Sequence, residues 1–209
     1  VFLALNCASS ERETTNPPST IIETKADKES FLSYIVNPDS QQLAFYWKDD
    51  KGHPLKSFKN LKNWLNKNNQ ELLFAMNGGM FTKEHTPLGL YIENGKTLKK
   101  VNRKKDAYGN FYMQPNGIFH LTNDNKSTIC KTTDFKSDEN IKYATQSGPL
   151  LLIDGKYHPK FKKNSKSVHF RNGVGILPNG DLIFVMSTVK VNFYNFATFF
   201  KEQGCKNAL

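Results

Sequence analysis

The segment Ala75–Phe81 (AMNGGMF) places an amide side chain and two glycines directly after an apolar run. Glycine tolerates a positive φ and has no side chain, so backbone N–H groups in such a turn can approach a ligand closely. The amide of Asn77 can donate to an anionic oxygen or accept from a sugar hydroxyl. The same residues also suit a tight turn without a ligand, and the short motif leaves both interpretations open.

The segment Thr145–Leu151 (TQSGPLL) has a similar arrangement, with Ser147 and Gly148 between a predicted strand and an apolar run. Ser147 is not predicted to be a nucleophile, because the residues around it do not form a GxSxG elbow and no His/Asp partner is placed nearby. We expect the Ser147 hydroxyl and the Gly148 N–H either to bind a ligand or simply to form a turn.

The third segment, His169–Gly175 (HFRNGVG), contains Arg171, one of only three arginines in the chain. A guanidinium is a planar fork that matches two phosphate oxygens. A surface ion pair is the ordinary alternative for a single arginine. His169 alone is more often a satisfied histidine than a catalyst.

These three segments, in this order, resemble the phosphodiester glycosidase family. The resemblance also rests on Pro87–Leu90 (PLGL), the run Asn192–Phe196 and the last residues, Gly204–Leu209, and it extends from about Gln41 to the end of the chain. It implies a hydrolase that cleaves the bond between the anomeric carbon of a sugar and a phosphodiester.

Carried onto this sequence, the resemblance implies catalytic roles for Asn77 and Arg171. Phosphate binding is expected from Arg171 and from N–H groups around Gly78 and Gly79. The other substrate contacts expected are those of Phe81, Gln146, Ser147, Gly148, Asn172 and Gly173.

A carboxylate is expected to act as base or nucleophile. In the family, an Asp-Gly-Gly turn follows the Asn-Ala-Leu that ends this sequence at Leu209. We therefore expect the carboxylate to lie beyond Leu209, and the chain as written to be inactive or incompletely folded. Glu84 is a second candidate for this role.

Two other functions compete with hydrolysis. One is a glycan-binding envelope lipoprotein with the same fold and no turnover, since a fold does not fix an activity. The other is a nucleic-acid-binding protein, suggested by a net charge of +10. Scattered lysines rather than patches of Arg and aromatic residues argue against the second, and we expect a carbohydrate phosphodiester and no nucleic acid as partner.

Short strands joined by turns predict an α+β fold with a mixed, largely antiparallel sheet core and a few flanking helices. Leu72–Met76 is expected to be buried on both faces. Phe111–Met113 is expected to pair with Gly117–Leu121, and Ser167–Phe170 to lead into the Arg171–Gly173 segment. Helical spacing predicts a helix after Ser57 and another over Phe193–Gln203. Asn94–Gly95 and Pro178–Gly180 predict hairpins.

The first residues predict export to the cell envelope. Val1–Leu5 is apolar and Cys7 follows it, which resembles a bacterial lipobox, although Asn6 stands where a small residue is usual. An ordinary signal peptide with a chance cysteine is the alternative. We interpret residues 1–7 as the remnant of a signal peptide, 8–25 as a tether and 26–209 as the glycosidase domain. The protein is accordingly expected to be lipid-anchored through Cys7, or periplasmic.

The remaining cysteines, Cys130 and Cys205, are compatible with a disulfide or with two buried thiols. No spacing of Cys and His residues indicates a zinc site. We therefore expect no cofactor, with a divalent cation beside the phosphate left open.

Overall fold

The computed structural model describes the backbone of residues 2–8, 21–26 and 29–209, and the side chains of residues 2–4 and 31–209. Within this part of the chain there are fourteen strands, two α-helices and one short 3-10 helix. In chain order the elements are β1 (Phe2–Ala8), β2 (Ile21–Ala26), β3 (Glu29–Val36), β4 (Leu43–Tyr46), α1 (Phe58–Lys67), β5 (Gln70–Asn77), β6 (Tyr91–Glu93), β7 (Lys96–Lys99), the 3-10 helix (Asn110–Tyr112), β8 (Gly117–Thr122), β9 (Ser127–Lys131), β10 (Ile141–Ser147), β11 (Leu152–Ile153), β12 (Lys156–Tyr157), β13 (Asn172–Ile176), β14 (Leu182–Ser187) and α2 (Phe193–Glu202).

The strands form three main sheets and a small hairpin, and every described strand pair is antiparallel. The strand orders are β4-β1-β5, β7-β6-β10-β8-β9 and β13-β14-β3-β2, and β11 pairs with β12. The predicted α+β class with a largely antiparallel core is therefore confirmed.

Aromatic side chains join the sheets. The ring of Phe45 on β4 lies 5.3 Å from that of Tyr143 on β10, which joins the first sheet to the second. The Phe74 ring on β5 stacks 4.5 Å from Tyr34 on β3, which joins the first sheet to the third. The core between the sheets thus fixes where β5 and β10 end and where β13 begins.

The two predicted helices are confirmed, and each begins at a side-chain cap. Ser57 Oγ accepts a 3.2 Å bond from Asn60 N, and Asn192 Oδ1 accepts a 2.9 Å bond from Asn195 N. These bonds satisfy backbone N–H groups that a helix leaves unpaired in its first turn. Helix α2 buries Phe196, Phe199 and Phe200 in the cluster that covers the third sheet.

Both predicted hairpins are confirmed. Asn94 and Gly95 have φ values of 49° and 75° between β6 and β7, as a primed two-residue turn requires. The turn that contains Gly180 joins β13 to β14.

Two local predictions are wrong. Residues 110–112 form a 3-10 helix, and β8 pairs with β9 and β10 instead. Strand β5 is not buried on both faces, because Leu73 is 46 % exposed and no residue of the strand is fully buried. Residues 167–170 lie outside the strands, where His169 makes a bridge to Val191.

Two N-terminal segments form strands, and the predicted division of the chain stays a prediction. Phe2–Ala8, interpreted as a signal remnant, forms the middle strand of the first sheet, with Phe2, Leu3 and Ala4 buried. Ile21–Ala26 pairs with β3, so the last residues of the predicted tether belong to a strand. Residues 9–20 and the side chain of Cys7 lie outside the described part. Export and lipid attachment stay predictions.

Candidate functional site

The turn after β5 is packed against the end of β10. Thr145 Oγ1 donates a 3.2 Å hydrogen bond to Gly78 O. Gly79 has a φ of 72°, and a Cβ added there would meet Thr145 Oγ1 and lie 2.9 Å from Gln146 O. Its backbone conformation and its surroundings therefore both require glycine. This packing fixes Asn77, the last residue of β5, at the edge of a cavity.

The turn after β10 is equally tight. A Cβ added to Gly148 would lie 2.7 Å from Phe111 O and 2.8 Å from Asn116 Cβ. Asn116 is buried and donates a 2.9 Å hydrogen bond to the same Phe111 O. Ser147, the last residue of β10, is half-buried beside this contact and lines the same cavity as Asn77.

Gln146, predicted to contact substrate, is instead bonded within the fold. Its Oε1 accepts from Leu90 N at 3.0 Å and from Asn102 N at 2.9 Å. Its Nε2 donates to Asn102 O at 2.7 Å and to Thr132 Oγ1 at 3.2 Å. These four bonds use the full hydrogen-bonding capacity of the amide, and Gln146 is not among the residues that line the cavity.

Arg171 stands one residue before β13 and is held by backbone carbonyls. Its Nε donates to Val191 O at 2.9 Å and its Nη2 to Ser167 O at 3.2 Å. Burial lowers the pKa of the guanidinium to about 10, which leaves it charged at neutral pH. Among the described residues no carboxylate lies within 4.0 Å of it, so the surface ion pair considered above is not formed there.

Asn172 joins the first turn to the third. Its Nδ2 donates a 3.0 Å hydrogen bond to Asn77 Oδ1, across 95 residues of chain. This bond ties the end of β5 to the start of β13 and leaves the Asn77 amide N–H₂ available on its other side.

The three turns surround one cavity of about 280 Å³. Asn77, Ser147 and Arg171 all line it, so the structure brings the three segments together at one cavity. Its full lining is Asn77, Gly79, Met80, Asn110, Ser147, Gly148, Pro149, Leu151, His169, Phe170, Arg171, Asn172, Phe193, Phe196 and Leu209.

Besides Gln146, four predicted site residues lie apart from this lining. Gly78 and Gly173 line a smaller adjoining space of about 50 Å³, and a Cβ on Gly173 would lie 2.7 Å from Leu209 O. Phe81 is 39 % exposed and stacks on His85 at 5.6 Å. Glu84 is exposed on the same loop, where a bond from Thr82 lowers its pKa, and it does not reach the cavity.

An apolar groove of about 250 Å³ adjoins the cavity on its other side. Asn77 and Asn172 line both spaces. The remaining lining of the groove comes mainly from apolar residues of β3, β5 and β14, including Tyr34, Phe74 and Met186.

The segment that leads into the cavity is strongly basic. Residues 155–180 contain six Lys and Arg residues and no Asp or Glu. Among the described residues no three His, Cys, Asp or Glu side chains are grouped to hold a metal ion. In the same part of the chain, no helix is long and apolar enough to cross a membrane. Cys130 and Cys205 are free thiols.

Among the cavity residues that were not predicted as site residues are Asn110, Phe170 and Phe193. Phe170 is 65 % exposed at the rim of the cavity. The Arg171 guanidinium lies over the Phe193 ring, with its carbon 3.5 Å from the ring centre. The run Asn192–Phe196 was part of the resemblance, so a signal for Phe193 was present. Its contact with Arg171 depends on the packing of α2 and could not be read from spacing.

The fold and the cavity together define an antiparallel α+β domain with a cationic pocket where β5 and β10 end and β13 begins. Residues 70–209 match the phosphodiester glycosidase family. A relative in Escherichia coli strain K12, the uncharacterized protein YigE, is 37 % identical over 171 residues, which are 82 % of this chain and 66 % of that protein. The chain belongs to the phosphodiester glycosidase family.

Two solved structures have a similar fold. The catalytic domain of zebrafish N-acetylglucosamine-1-phosphodiester alpha-N-acetylglucosaminidase, auto-inhibited by its pro-peptide, superposes with a TM-score of 0.56 at 17 % identity, covering 100 % of this chain and 75 % of the other. A hypothetical protein from Synechocystis gives a TM-score of 0.50 at 13 % identity, covering 90 % and 55 %. At these identities the likeness shows the fold alone.

Proposed function

We propose that this chain hydrolyses the bond between the anomeric carbon of a sugar and a phosphodiester, with the phosphate bound at Arg171. The observation that carries the proposal is a half-buried, charged guanidinium that faces a cavity and has no described carboxylate partner. Burying a charged guanidinium costs free energy unless an anion pairs with it. Phosphate oxygens fit a planar fork of N–H donors.

The chemistry suits a cavity with few ionisable groups. Water adds to the anomeric carbon and loses a proton, while the phosphate monoester departs with the electron pair of the broken C–O bond. Because a phosphate monoester is already a good leaving group, strong protonation of it is less necessary than in an ordinary glycoside. Binding the phosphate and stabilising the oxocarbenium-like centre are then the main tasks of the site.

The sugar would lie towards Asn77 and Ser147. The amide of Asn77 is fixed by Asn172, and its N–H₂ can donate to a sugar hydroxyl or a phosphate oxygen. Phe170 offers an exposed ring at the rim for an apolar face of the sugar. Of the described lining residues, His169 is the one with an imidazole, the side chain that most often acts as a general acid or base.

A second candidate function is suggested by the same lining, which includes no Asp or Glu among the described residues. A domain that binds a glycan phosphate without cleaving it would need Arg171 and no base. Measuring turnover and binding on the same preparation separates the two functions.

The test is hydrolysis of a panel of α-linked sugar-1-phosphodiesters, with N-acetylglucosamine, glucose and galactose as the sugars. We expect Arg171→Ala to lower kcat/KM at least about 100-fold and Arg171→Lys about 10-fold, since a lysine keeps the charge and loses the fork. Arg103→Ala is the matched control, because Arg103 also bonds to two backbone carbonyls but lies outside the cavity. An unchanged kcat/KM in Arg171→Ala would disprove the phosphate role. Binding without turnover by a protein that includes the residues expected after Leu209 would favour the second function.

A further inference from the structure

Two carbonyls and one aromatic ring determine the orientation of Arg171. Val191 O and Ser167 O accept from Nε and Nη2, and the guanidinium carbon lies 3.5 Å from the centre of the Phe193 ring. Nη1 has no hydrogen-bond partner among the described residues. With Nε occupied, the side of the fork formed by Nε and Nη2 is closed to a ligand. The end formed by the two Nη atoms is the remaining route to a bidentate bond.

The Phe193 ring is itself supported by further planar groups. Phe161 stacks on it at 5.0 Å with an interplanar angle of 3°, and His158 stacks on Phe161 at 4.8 Å and 27°. His158 is 1 % exposed, and burial lowers the pKa of its imidazole to about 4, so it is neutral at neutral pH. We name Phe193, Phe161 and His158 the aromatic column. His158, at the end of the column farthest from Arg171, therefore adds no positive charge that would repel the guanidinium.

We propose that the aromatic column fixes the plane of the Arg171 guanidinium, and that Phe193 is a positioning residue that sets the affinity of the cavity for phosphate. The inference rests on the phosphate role of Arg171 in the proposed function. A cation over an aromatic face is attracted by the ring, and the attraction strengthens as water is removed. One face of the guanidinium is then covered, and the N–H donors in its edge point to where the anion binds.

Fixing the fork beforehand lowers the cost of binding, because an arginine otherwise loses rotamer freedom when it closes on a ligand. A leucine at position 193 would fill space without providing a π face. A tyrosine would keep the ring. The column therefore predicts that phosphate affinity follows the presence of a ring at position 193 rather than its apolar volume.

The experiment measures the Kd for inorganic phosphate by calorimetry, which needs no turnover. We expect Phe193→Leu to weaken binding about three- to tenfold and Phe193→Tyr to stay within about twofold of the unaltered chain. Phe193→Met is a second ringless variant should the leucine variant fail to fold. Tyr194→Leu is the matched control, since it removes a ring of α2 that stacks on Tyr157 at 4.5 Å without contacting Arg171, and it should leave the Kd unchanged.

A double-mutant cycle separates positioning from general loosening of the structure. In an Arg171→Lys background, which lacks the planar group, Phe193→Leu should have little further effect on the Kd. An equal effect in both backgrounds would overturn the inference, as would an unchanged Kd in folded Phe193→Leu or a failure of the unaltered chain to bind phosphate. A chain that binds phosphate with the expected variant pattern but cleaves no diester would remove the proposed hydrolysis and leave the positioning role intact.

Discussion

At the scale of single residues, neighbouring polar side chains of the same motif differ in whether they face the cavity. Gln146 and Ser147 are neighbours at the end of β10, yet only Ser147 lines the cavity. The Gln146 amide joins Leu90, Asn102 and Thr132 inside the second sheet region. A Cβ on Gly89 would meet Gln146 Oε1, which explains the glycine in the PLGL segment. The resemblance predicted Gln146 as a substrate contact, whereas in the structure its amide is hydrogen-bonded within the fold.

Replacing Gln146 with Leu should therefore destabilise the fold. The change leaves Leu90 N, Asn102 N and Asn102 O buried or half-buried without this partner. We expect the free energy of unfolding to fall by about 3 kcal/mol or more, since each unsatisfied buried group costs about 1–3 kcal/mol. Urea denaturation measures the loss, and the exposed Gln42→Leu is the control. A loss below about 1 kcal/mol in Gln146→Leu would contradict this structural role of Gln146.

At the scale of elements, the N-cap residue of α2 both caps the helix and binds the loop that precedes it. Asn192 caps the helix with Oδ1, and its Nδ2 donates to Lys163 O at 3.0 Å and Ser165 O at 3.3 Å. The loop held in this way continues to Ser167, whose carbonyl binds Arg171. The cap of α2 thus also supports the cationic wall of the cavity.

Variants of Asn192 can separate these two tasks. Asn192→Ala should lower the free energy of unfolding by about 2 kcal/mol and expose the loop to trypsin at its lysines. Asn192→Ser keeps a capping hydroxyl, so it should recover much of the stability while the loop stays sensitive. Ser57→Ala, at the cap of α1, should cost about 1 kcal/mol and leave the loop protected. Equal trypsin sensitivity in Asn192→Ala and the unaltered chain would contradict the support of the loop by Asn192.

Hairpins and caps were predictable at this scale because their signals are local. Asn94–Gly95 needs positive φ at both positions, and Ser57 and Asn192 stand where helix N–H groups lack partners. Phe111–Met113 was mistaken for a strand because a short apolar run has no period that separates strand from turn. Its actual role is to bury Phe111 and to place Phe111 O against the Gly148 turn.

At the scale of the whole molecule, the N-terminal strand is part of the first sheet. Ala4 on β1 is fully buried, opposite Ala44 and Ala75, in a cluster with Leu61 and Leu65 of α1. A segment removed by a signal peptidase could not fill this place. If β1 is part of the mature protein, it contributes to the free energy of unfolding, whereas a β1 removed with a signal peptide does not. A stability measurement can therefore distinguish the two interpretations.

If β1 is retained in the mature protein, a charge at Ala4 should be strongly destabilising. We expect Ala4→Glu to lower the free energy of unfolding by about 3 kcal/mol or more, because a buried unpaired carboxylate is costly. Leu73→Glu, at a position 46 % exposed, should change it by less than about 1 kcal/mol. The mass of the mature chain shows whether residues before Cys7 remain. Cleavage at Cys7, with equal stability of the Ala4→Glu product, would support the export interpretation.

The sequence by itself determined the elements that depend on neighbouring residues: the alternating strands, the capped helices, the glycine turns and the order of motifs that marks the family. Only the tertiary structure decided which of these residues face the cavity. Tertiary packing turned Gln146 inwards, set Glu84 on an outer loop and, through α2, brought Phe193 beneath Arg171. The reason is physical: a turn is specified by a few adjacent dihedral preferences, whereas the direction of a side chain across 20 to 95 residues is set by the shared core.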